Sequence, residues 1–207
     1  MPIDHLPNFI QNHYEIHEWR HATAILRDDF PSEYKDICDV LTSFRLQKSW
    51  IIVGGGRKSR VSDWIDGQLY RKGWEEKSFE TKITVDQDVM ESPTHSVDCF
   101  KNRIALEIEW NNKDPFFDRD LNNFRLLFDL RAISVGVIIT RTDELQDIFK
   151  GLGRGKSYHS HVQAITTHSR WRRGRLSIIN IWNQKGIVCR RLLKLQNQIQ
   201  QQISLTK

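Results

Sequence analysis

Three carboxylates in the middle of the chain are spaced so that a short hairpin would bring them together. Residues 104–110 alternate between large apolar side chains and a second set that consists of Ala105, Glu107 and Glu109. This alternation predicts a half-buried β-strand that carries two acids on its open face. The segment before this strand supplies the third acid, Asp98.

The predicted hairpin turns at Lys101–Asn102, which would pair Asp98 with Ala105. Because paired residues share a face of the sheet, Asp98 would then lie one diagonal step from Glu107. The small side chain of Ala105 leaves room between the acids for an ion and its waters. Oxygen ligands at this density favour magnesium, which keeps several water molecules and uses few carboxylates.

A second interpretation of the pattern is that the two glutamates are solvated on the wet face of an antiparallel strand. The flanking residues argue against full solvation, because Trp110 and Phe116–Phe117 are large and apolar. Side chains rich in hydrogen-bonding groups follow the strand directly, at Asn111, Asn112, Lys113 and Asp114. We therefore favour a metal site with a polar loop beside it.

The charge of the chain is divided sharply between its two parts. Residues 151–207 contain eleven Lys or Arg and no Asp or Glu, so this segment carries +11, whereas the first 150 residues carry −6 and the whole chain +5. The arginines are densest at Arg170, Arg172, Arg173 and Arg175, where Trp171 is available for stacking. Such a segment can follow a phosphate backbone. The alternative is a solvated basic face or a weakly ordered tail.

The glycine-rich segment 54–59 is a second candidate for phosphate binding. It has neither the spacing of a nucleotide phosphate loop nor a dinucleotide fingerprint. Three glycines followed by Arg57 and Lys58 can still bind a phosphate through backbone N–H groups and the N-terminus of the next helix. We interpret this segment as a contact to a DNA backbone; an ordinary flexible loop is the alternative. An acidic metal site beside basic surfaces is the combination that a nuclease needs.

Length and composition indicate a single globular domain, with or without an appended lobe. A hydrophobic content of 39%, with seven Trp and ten Phe, is sufficient for a core in 207 residues. No apolar run approaches the roughly 18 residues of a membrane span, and the first residues lack a secretion signal. The cysteines, Cys38, Cys99 and Cys189, fit neither a disulfide framework nor a zinc site. We therefore expect a cytoplasmic protein with reduced thiols.

The pattern of apolar residues predicts an α/β fold. Helices are predicted at 13–30, 31–44, 61–72, 118–130 and 143–150. Strands are predicted at 50–53, within 74–86, at the two segments that carry the acids, and at 135–140, a continuous apolar run typical of a central strand. A mixed central sheet that is flanked by helices on both faces accounts for this order. No element is predicted beyond residue 155.

The order Asp98, eight further residues and then Glu107-Ile108-Glu109 resembles the catalytic core of the PD-(D/E)xK nuclease superfamily. The wider sequence resembles the BglII/BstYI-type restriction endonucleases, a group related in fold to BamHI. Lys72-Gly73-Trp74 ahead of the core adds to this resemblance, which runs from about residue 57 to residue 141. Two positions depart from the pattern. The third catalytic position is Glu109, as it is Glu in BamHI, whereas Lys is common there in the superfamily and Gln occurs in BglII and BstYI. In addition, Val97 rather than Pro precedes Asp98.

The resemblance implies a restriction-endonuclease-like fold and a homodimer that cuts each strand of double-stranded DNA once, at a palindrome that contains GATC, leaving 5′-phosphate ends. Asp98, Glu107 and the backbone carbonyl of Ile108 would hold Mg²⁺, and Glu109 would orient or deprotonate the attacking water. The side chains that would read bases in the major groove are Asn111, Asn112, Lys113 and Asp114. A companion DNA methyltransferase would protect the bacterial or archaeal host.

The charge distribution and the predicted elements divide the chain at residue 150. Residues 1–150 are the predicted catalytic α/β core with its N-terminal helices. Residues 151–207 would complete the same domain or form a DNA-binding lobe, and the resemblance assigns no contacts to them.

Two other functions fit parts of the pattern. A repair or junction nuclease without sequence specificity would use the same metal site and would cut a plasmid into a smear rather than discrete fragments. A non-enzymatic DNA-binding protein would leave the acids solvated and would show no metal-dependent cleavage of phosphodiester bonds.

Overall fold

The computed structural model describes residues 2–47, 49–50, 58–110, 116–141 and 176–181. After a short 3-10 helix at Pro2–His5, the helices are α1 Asn8–His13, α2 Ala22–Asp29, α3 Pro31–Ser43, α4 Arg60–Tyr70 and α5 Phe116–Asp129. The strands are β1 Tyr14–Trp19, β2 Glu75–Lys77, β3 Glu80–Val85, β4 Asp88–Pro93, β5 Val97–Lys101, β6 Ile104–Glu109, β7 Val135–Arg141 and β8 Leu176–Ile181.

Six of these strands form one mixed sheet in the order β1-β8-β7-β6-β5-β2. Strands β6, β7 and β8 are parallel to one another, whereas β1, β5 and β2 run antiparallel to their neighbours. Strands β3 and β4 form a separate two-stranded sheet. Helix α5 lies in the crossover between β6 and β7, as a parallel connection requires. The predicted mixed central sheet is therefore confirmed.

The two faces of β6 contribute to two separate hydrophobic clusters. On one face, Leu106 and Ile108 pack with residues of α1 to α4. On the other face, Ala105 belongs to the same cluster as Phe124 and Leu127 of α5. Helices thus cover both faces of the sheet, as predicted, and the strand that carries the two glutamates lies between two layers of packed side chains.

The helix predicted at 13–30 is wrong. This segment forms β1, then a turn in which Arg20 and His21 have positive φ angles of 55° and 57°, and then α2. Strand β1 pairs antiparallel with β8, which lies far away in the sequence. Because a distant partner determines this strand, the local spacing of apolar residues misidentified it.

Helices α3, α4 and α5 agree with the sequence pattern, whereas α1 was not predicted. Helix α3 starts at Pro31, and α4 starts after Ser59, whose Oγ accepts a hydrogen bond from the N–H of Ser62 at 2.9 Å. Gly73 follows the end of α4 with a positive φ of 84°, a conformation that glycine commonly adopts after a helix. The buried face of α5 includes Leu121, Phe124 and Leu127. No helix in the described ranges combines the length and apolarity that a membrane crossing needs.

Three predictions concern segments that are partly or wholly outside the described residues. Of the predicted strand 50–53, only Trp50 is described, and it is helical. The predicted helix 143–150 lies outside the described ranges. In the basic segment 151–207, residues 176–181 form β8, between β7 and β1, where no element was predicted.

Gly136 allows α5 to pack closely against β7. A Cβ atom at this position would lie only 2.5 Å from the Cδ2 atom of the Phe124 ring. Protein interiors are packed too densely for that overlap, so the ring or the helix would have to move. This close approach sets the distance between α5 and the sheet, and hence between α5 and the acids of β6.

We expect Gly136→Ala to lower the free energy of unfolding by about 1–3 kcal/mol, because the added methyl overpacks the interface with Phe124. The control is Gly67→Ala in α4, where an added Cβ meets no atom within 4 Å. Better helix propensity should leave that variant as stable as the wild type or more stable by about 0.5–1 kcal/mol. Urea denaturation measures both. A Gly136→Ala variant as stable as wild type would contradict the described packing.

Candidate active site

The β5–β6 hairpin brings the acids together, although with a register that differs from the predicted one. Its turn is Asn102–Arg103, and the positive φ angles of 43° and 68° are those of a two-residue type I′ turn. Phe100 is paired with Ala105, so the predicted pair of Asp98 with Ala105 is wrong by two residues. Because a shift of two residues preserves the face, Asp98 stays on the side of Glu107. The continued register places it opposite Glu107 rather than diagonal to it.

Asp98 and Glu107 meet where the regular hydrogen-bond ladder of the hairpin ends. Asp98 Oδ2 accepts a hydrogen bond from the backbone N–H of Ile108 at 2.9 Å. The backbone N–H of Asp98 donates to Glu107 Oε2 at 3.3 Å. On the helix side, the hydroxyl of Tyr70 donates to the Asp98 carbonyl at 3.0 Å. These contacts fix both carboxyl groups relative to the strand backbone.

The expectation that the acids lie on an open face is wrong. Every residue of β6 is buried, and Glu107 and Glu109 are only 1% and 6% exposed. β6 has hydrogen-bonded neighbours on both edges, and the cluster around α5 covers the face that carries the glutamates. The interpretation of these glutamates as solvated surface residues is therefore also wrong.

Burial makes the negative charge of this pair unfavourable. It raises the pKa of Glu107 well above its usual value, and the nearby carboxyls of Asp98 and Asp120 add to that effect. It also raises the pKa of Asp98, while the hydrogen bond from Ile108 acts in the opposite direction. Glu107 Oε1 is buried and has no hydrogen-bond partner among the described residues. An acceptor in this position is stabilised by a hydrogen-bond donor or by a cation.

Glu109 belongs to a second group, with two residues of α5. Arg119 donates from Nη2 to Glu109 Oε1 at 3.0 Å and from Nε to Asp120 Oδ1 at 2.8 Å. Asp120 is completely buried. The pKa of Glu109 is raised to about 9, first by burial and then by the hydrogen bond and charge of Asp120, while Arg119 lowers it. The hydroxyl of Thr140 donates to the Glu109 carbonyl at 2.9 Å.

Sequence reasoning missed Arg119 and Asp120. A signal for Asp120 was present, since it lies four and seven residues before the buried Phe124 and Leu127 and therefore on the inner face of α5. Arg119 had no comparable signal, because its role depends on the approach of α5 to the end of β6.

Lys58, predicted to contact a DNA backbone, is tied to α4. Its ammonium forms an ion pair with the buried carboxylate of Asp66 and lies 3.7 Å from Asp63. The Sγ of Cys99, next to Asp98 in β5, donates to Asp66 Oδ1 at 3.6 Å. Burial raises the pKa of Asp66 to about 6, and the nearby Asp98 contributes to the rise, while Lys58 opposes it.

The remaining predicted contacts to DNA lie outside the described residues. They are Arg57, the loop residues Asn111, Asn112, Lys113 and Asp114, and the arginines Arg170, Arg172, Arg173 and Arg175.

The predicted magnesium site offers only a few ligand groups from the protein. Among the described residues, no group of three or more His, Cys, Asp or Glu side chains is arranged to hold a metal ion. The predicted set needs two carboxylates, Asp98 and Glu107, together with the Ile108 carbonyl. All of these donors are oxygens, and Glu107 Oε1 is a buried acceptor that receives no hydrogen bond from the part of the chain that the structure describes. Such donors suit a hard divalent cation that keeps several waters.

A mixed sheet with helices on both faces and an acid pair at the end of its central hairpin defines the restriction-endonuclease-like class of α/β nucleases. A family model described as restriction endonuclease BglII/BglIII matches residues 14–197. The chain therefore belongs to this family of restriction endonucleases, and the resemblance found in the sequence is confirmed. It is a nuclease, a hydrolase that acts on DNA. No curated protein matches the chain significantly.

The raised pKa of Asp66 predicts a pH-dependent contribution to stability. Between the usual value of 3.8 and about 6, the folded state retains a proton that the unfolded chain has lost. The free energy of unfolding should therefore fall as the pH rises through this window, by up to about 3 kcal/mol. Asp66→Asn should flatten this slope in urea denaturation measured between these pH values.

Asp63→Asn is the matched control, because Asp63 also faces Lys58 but its side chain is 61% exposed. This variant should keep the wild-type slope. An unchanged slope in Asp66→Asn would show that Asp66 does not titrate in the folded state as described.

Proposed function

We propose that the chain is a type II restriction endonuclease that hydrolyses phosphodiester bonds of double-stranded DNA with Mg²⁺, at a palindrome that contains GATC, and leaves 5′-phosphate ends. The observation that carries this proposal is the pair of buried Glu107 and half-buried Asp98, which lies within the part of the chain that matches the family. Glu107 is withdrawn from water, and its Oε1 has no hydrogen-bond partner among the described residues, which favours a cation-dependent site over a structural role.

Asp98, Glu107 and the backbone carbonyl of Ile108 would hold the magnesium ion. The bound ion would lower the pKa of a water molecule and stabilise negative charge on the scissile phosphate. The N–H of Ile108 donates a hydrogen bond of 2.9 Å to the Asp98 carboxylate. Ile108 would therefore both position one metal ligand, Asp98, and supply another through its own carbonyl. Burial of Glu107 excludes competing waters from one side of the pair.

Glu109 would orient or deprotonate the water that attacks the phosphorus atom. Its carboxyl group is held by Arg119 at 3.0 Å, which limits the rotation of the side chain. Positioned groups of this kind act in proton transfer when they lie within hydrogen-bond reach of the water. Arg119 and Asp120 position Glu109 and are not assigned a direct step.

We propose that DNA recognition combines backbone contacts and base contacts. The basic residues of 57–58 and 170–175 would bind phosphates, which fixes the position of the duplex without reading its sequence. Lys58 has a side chain that is 49% exposed, so its ion pair with Asp66 leaves part of it accessible. Residues 111–114 would read base edges, since Asn suits adenine and Lys suits guanine in the major groove.

A palindromic site implies a two-fold symmetric enzyme. We therefore propose a homodimer in which each subunit cuts one strand. A sequence-specific nuclease also requires protection of the host DNA, and a companion DNA methyltransferase encoded nearby would supply it without a stable complex.

Magnesium-dependent digestion of a sequenced plasmid, followed by mapping of the ends, tests this function. The wild type should give discrete fragments. Asp98→Asn and Glu107→Gln should each reduce cleavage by at least about a hundredfold, because each removes a charged ligand oxygen. Circular dichroism would establish that both variants fold.

Glu91→Gln is the matched control, since Glu91 lies on β4 with its side chain 77% exposed. It should cut like the wild type. Near wild-type cleavage by Asp98→Asn or Glu107→Gln would refute the assignment of the metal ligands, and a smear instead of fragments would indicate a nuclease without sequence specificity.

A further inference from the structure

A groove of about 520 Å³ lies between α5 and the segment that leads into β5, and Arg119 in its lining also binds Glu109 of the acid site. It is lined by Thr94, His95, Arg119, Asn122, Asn123 and Leu126. None of these side chains is an acid, and one is a permanent cation. The polar part of the lining therefore offers hydrogen-bond donors, among them a half-exposed guanidinium, which suit an anionic ligand.

Hydrogen bonds hold the two walls of the groove in place. Asn123, which is only 7% exposed, donates from its side-chain nitrogen to the His95 carbonyl at 2.9 Å. The Thr94 hydroxyl donates to the Phe79 carbonyl at 2.7 Å and is thus engaged in the wall. Asn122 is exposed on the outer side of α5 and lines the groove. The groove is consequently a built feature and does not depend on a loose side chain.

Arg119 connects the groove to the candidate active site. Its Nε and Nη2 bind Asp120 and Glu109, and its side chain is 46% exposed. A guanidinium has five N–H groups in a fixed, planar arrangement, so the two described hydrogen bonds leave donors for a further acceptor. The ion pairs with two carboxyls also orient the guanidinium before any ligand arrives.

We infer that this groove binds a phosphate of the DNA backbone next to the phosphate that is cut. The inference rests on the proposed function. The groove adjoins the acid site at one end, because Arg119 lines the groove and binds Glu109. A DNA strand with its scissile phosphate at the acids would therefore continue into the groove. Phosphate oxygens match the donors of Arg119 and Asn122.

The test uses Asn122→Asp, which places a negative charge in the groove without touching the acids. Fluorescence anisotropy with a short duplex in EDTA measures binding without cleavage. Affinity should fall about tenfold, as expected when one charge-assisted hydrogen bond is lost. The loss should be equal for duplexes with and without GATC, because phosphate contacts carry no sequence information. Asn122→Lys should act in the opposite direction and steepen the salt dependence by about one counterion.

The matched controls are Asn12→Asp and Asn12→Lys, because Asn12 is exposed on α1, a helix that packs on the other side of the sheet. They make the same charge changes and should leave affinity within about twofold of the wild type. Wild-type affinity in Asn122→Asp, or a loss confined to duplexes with GATC, would overturn the inference. Plasmid cleavage by the wild type separates the two claims: if it cuts while Asn122→Asp binds normally, only the groove assignment fails.

Discussion

Burial of like-charged groups at the end of the β5–β6 hairpin is the constraint on which the site depends. The carboxyl groups of Glu107, Glu109 and Asp120 are almost entirely withdrawn from water, and Asp98 is half-buried beside them. In a medium of low dielectric constant, such groups repel one another strongly when ionised. The guanidinium of Arg119 offsets part of this repulsion, and the backbone that carries the acids is held in place by other interactions.

The sheet and its two hydrophobic clusters provide these interactions. Strand β6 is hydrogen-bonded to β5 on one edge and to β7 on the other, so the glutamates cannot move apart without breaking a ladder. Close packing of Phe124 against Gly136 fixes α5, and with it Arg119 and Asp120. The site is thus a locally unfavourable arrangement that a well-packed scaffold maintains, which is a recurring property of functional sites.

The sequence predicts the identity of the acid pair and the class of the fold, but not the environment of the acids. The side of the sheet on which Asp98 lies follows from the two-residue period of a strand. This prediction was therefore correct even though the turn was predicted one residue too early, because the resulting register shift of two residues keeps the face. Burial of Glu107 was not predictable from alternation, because the cover comes from α5. Strand β1 was not predictable either, because its partner β8 is distant in the sequence. These missed features all arise from contacts between segments that are far apart in the chain or in different elements.

Calorimetric titration of Mg²⁺ into the protein tests the central claim most directly, which is that the Asp98–Glu107 pair forms a cation site. The wild type and the exposed-residue variant Glu91→Gln should bind Mg²⁺ with the same affinity. Glu107→Gln, which retains the size of the side chain, should lose at least about tenfold in affinity, because a ligand carboxylate becomes a neutral amide. If Glu107→Gln binds Mg²⁺ as tightly as the wild type, the buried pair is not the metal site.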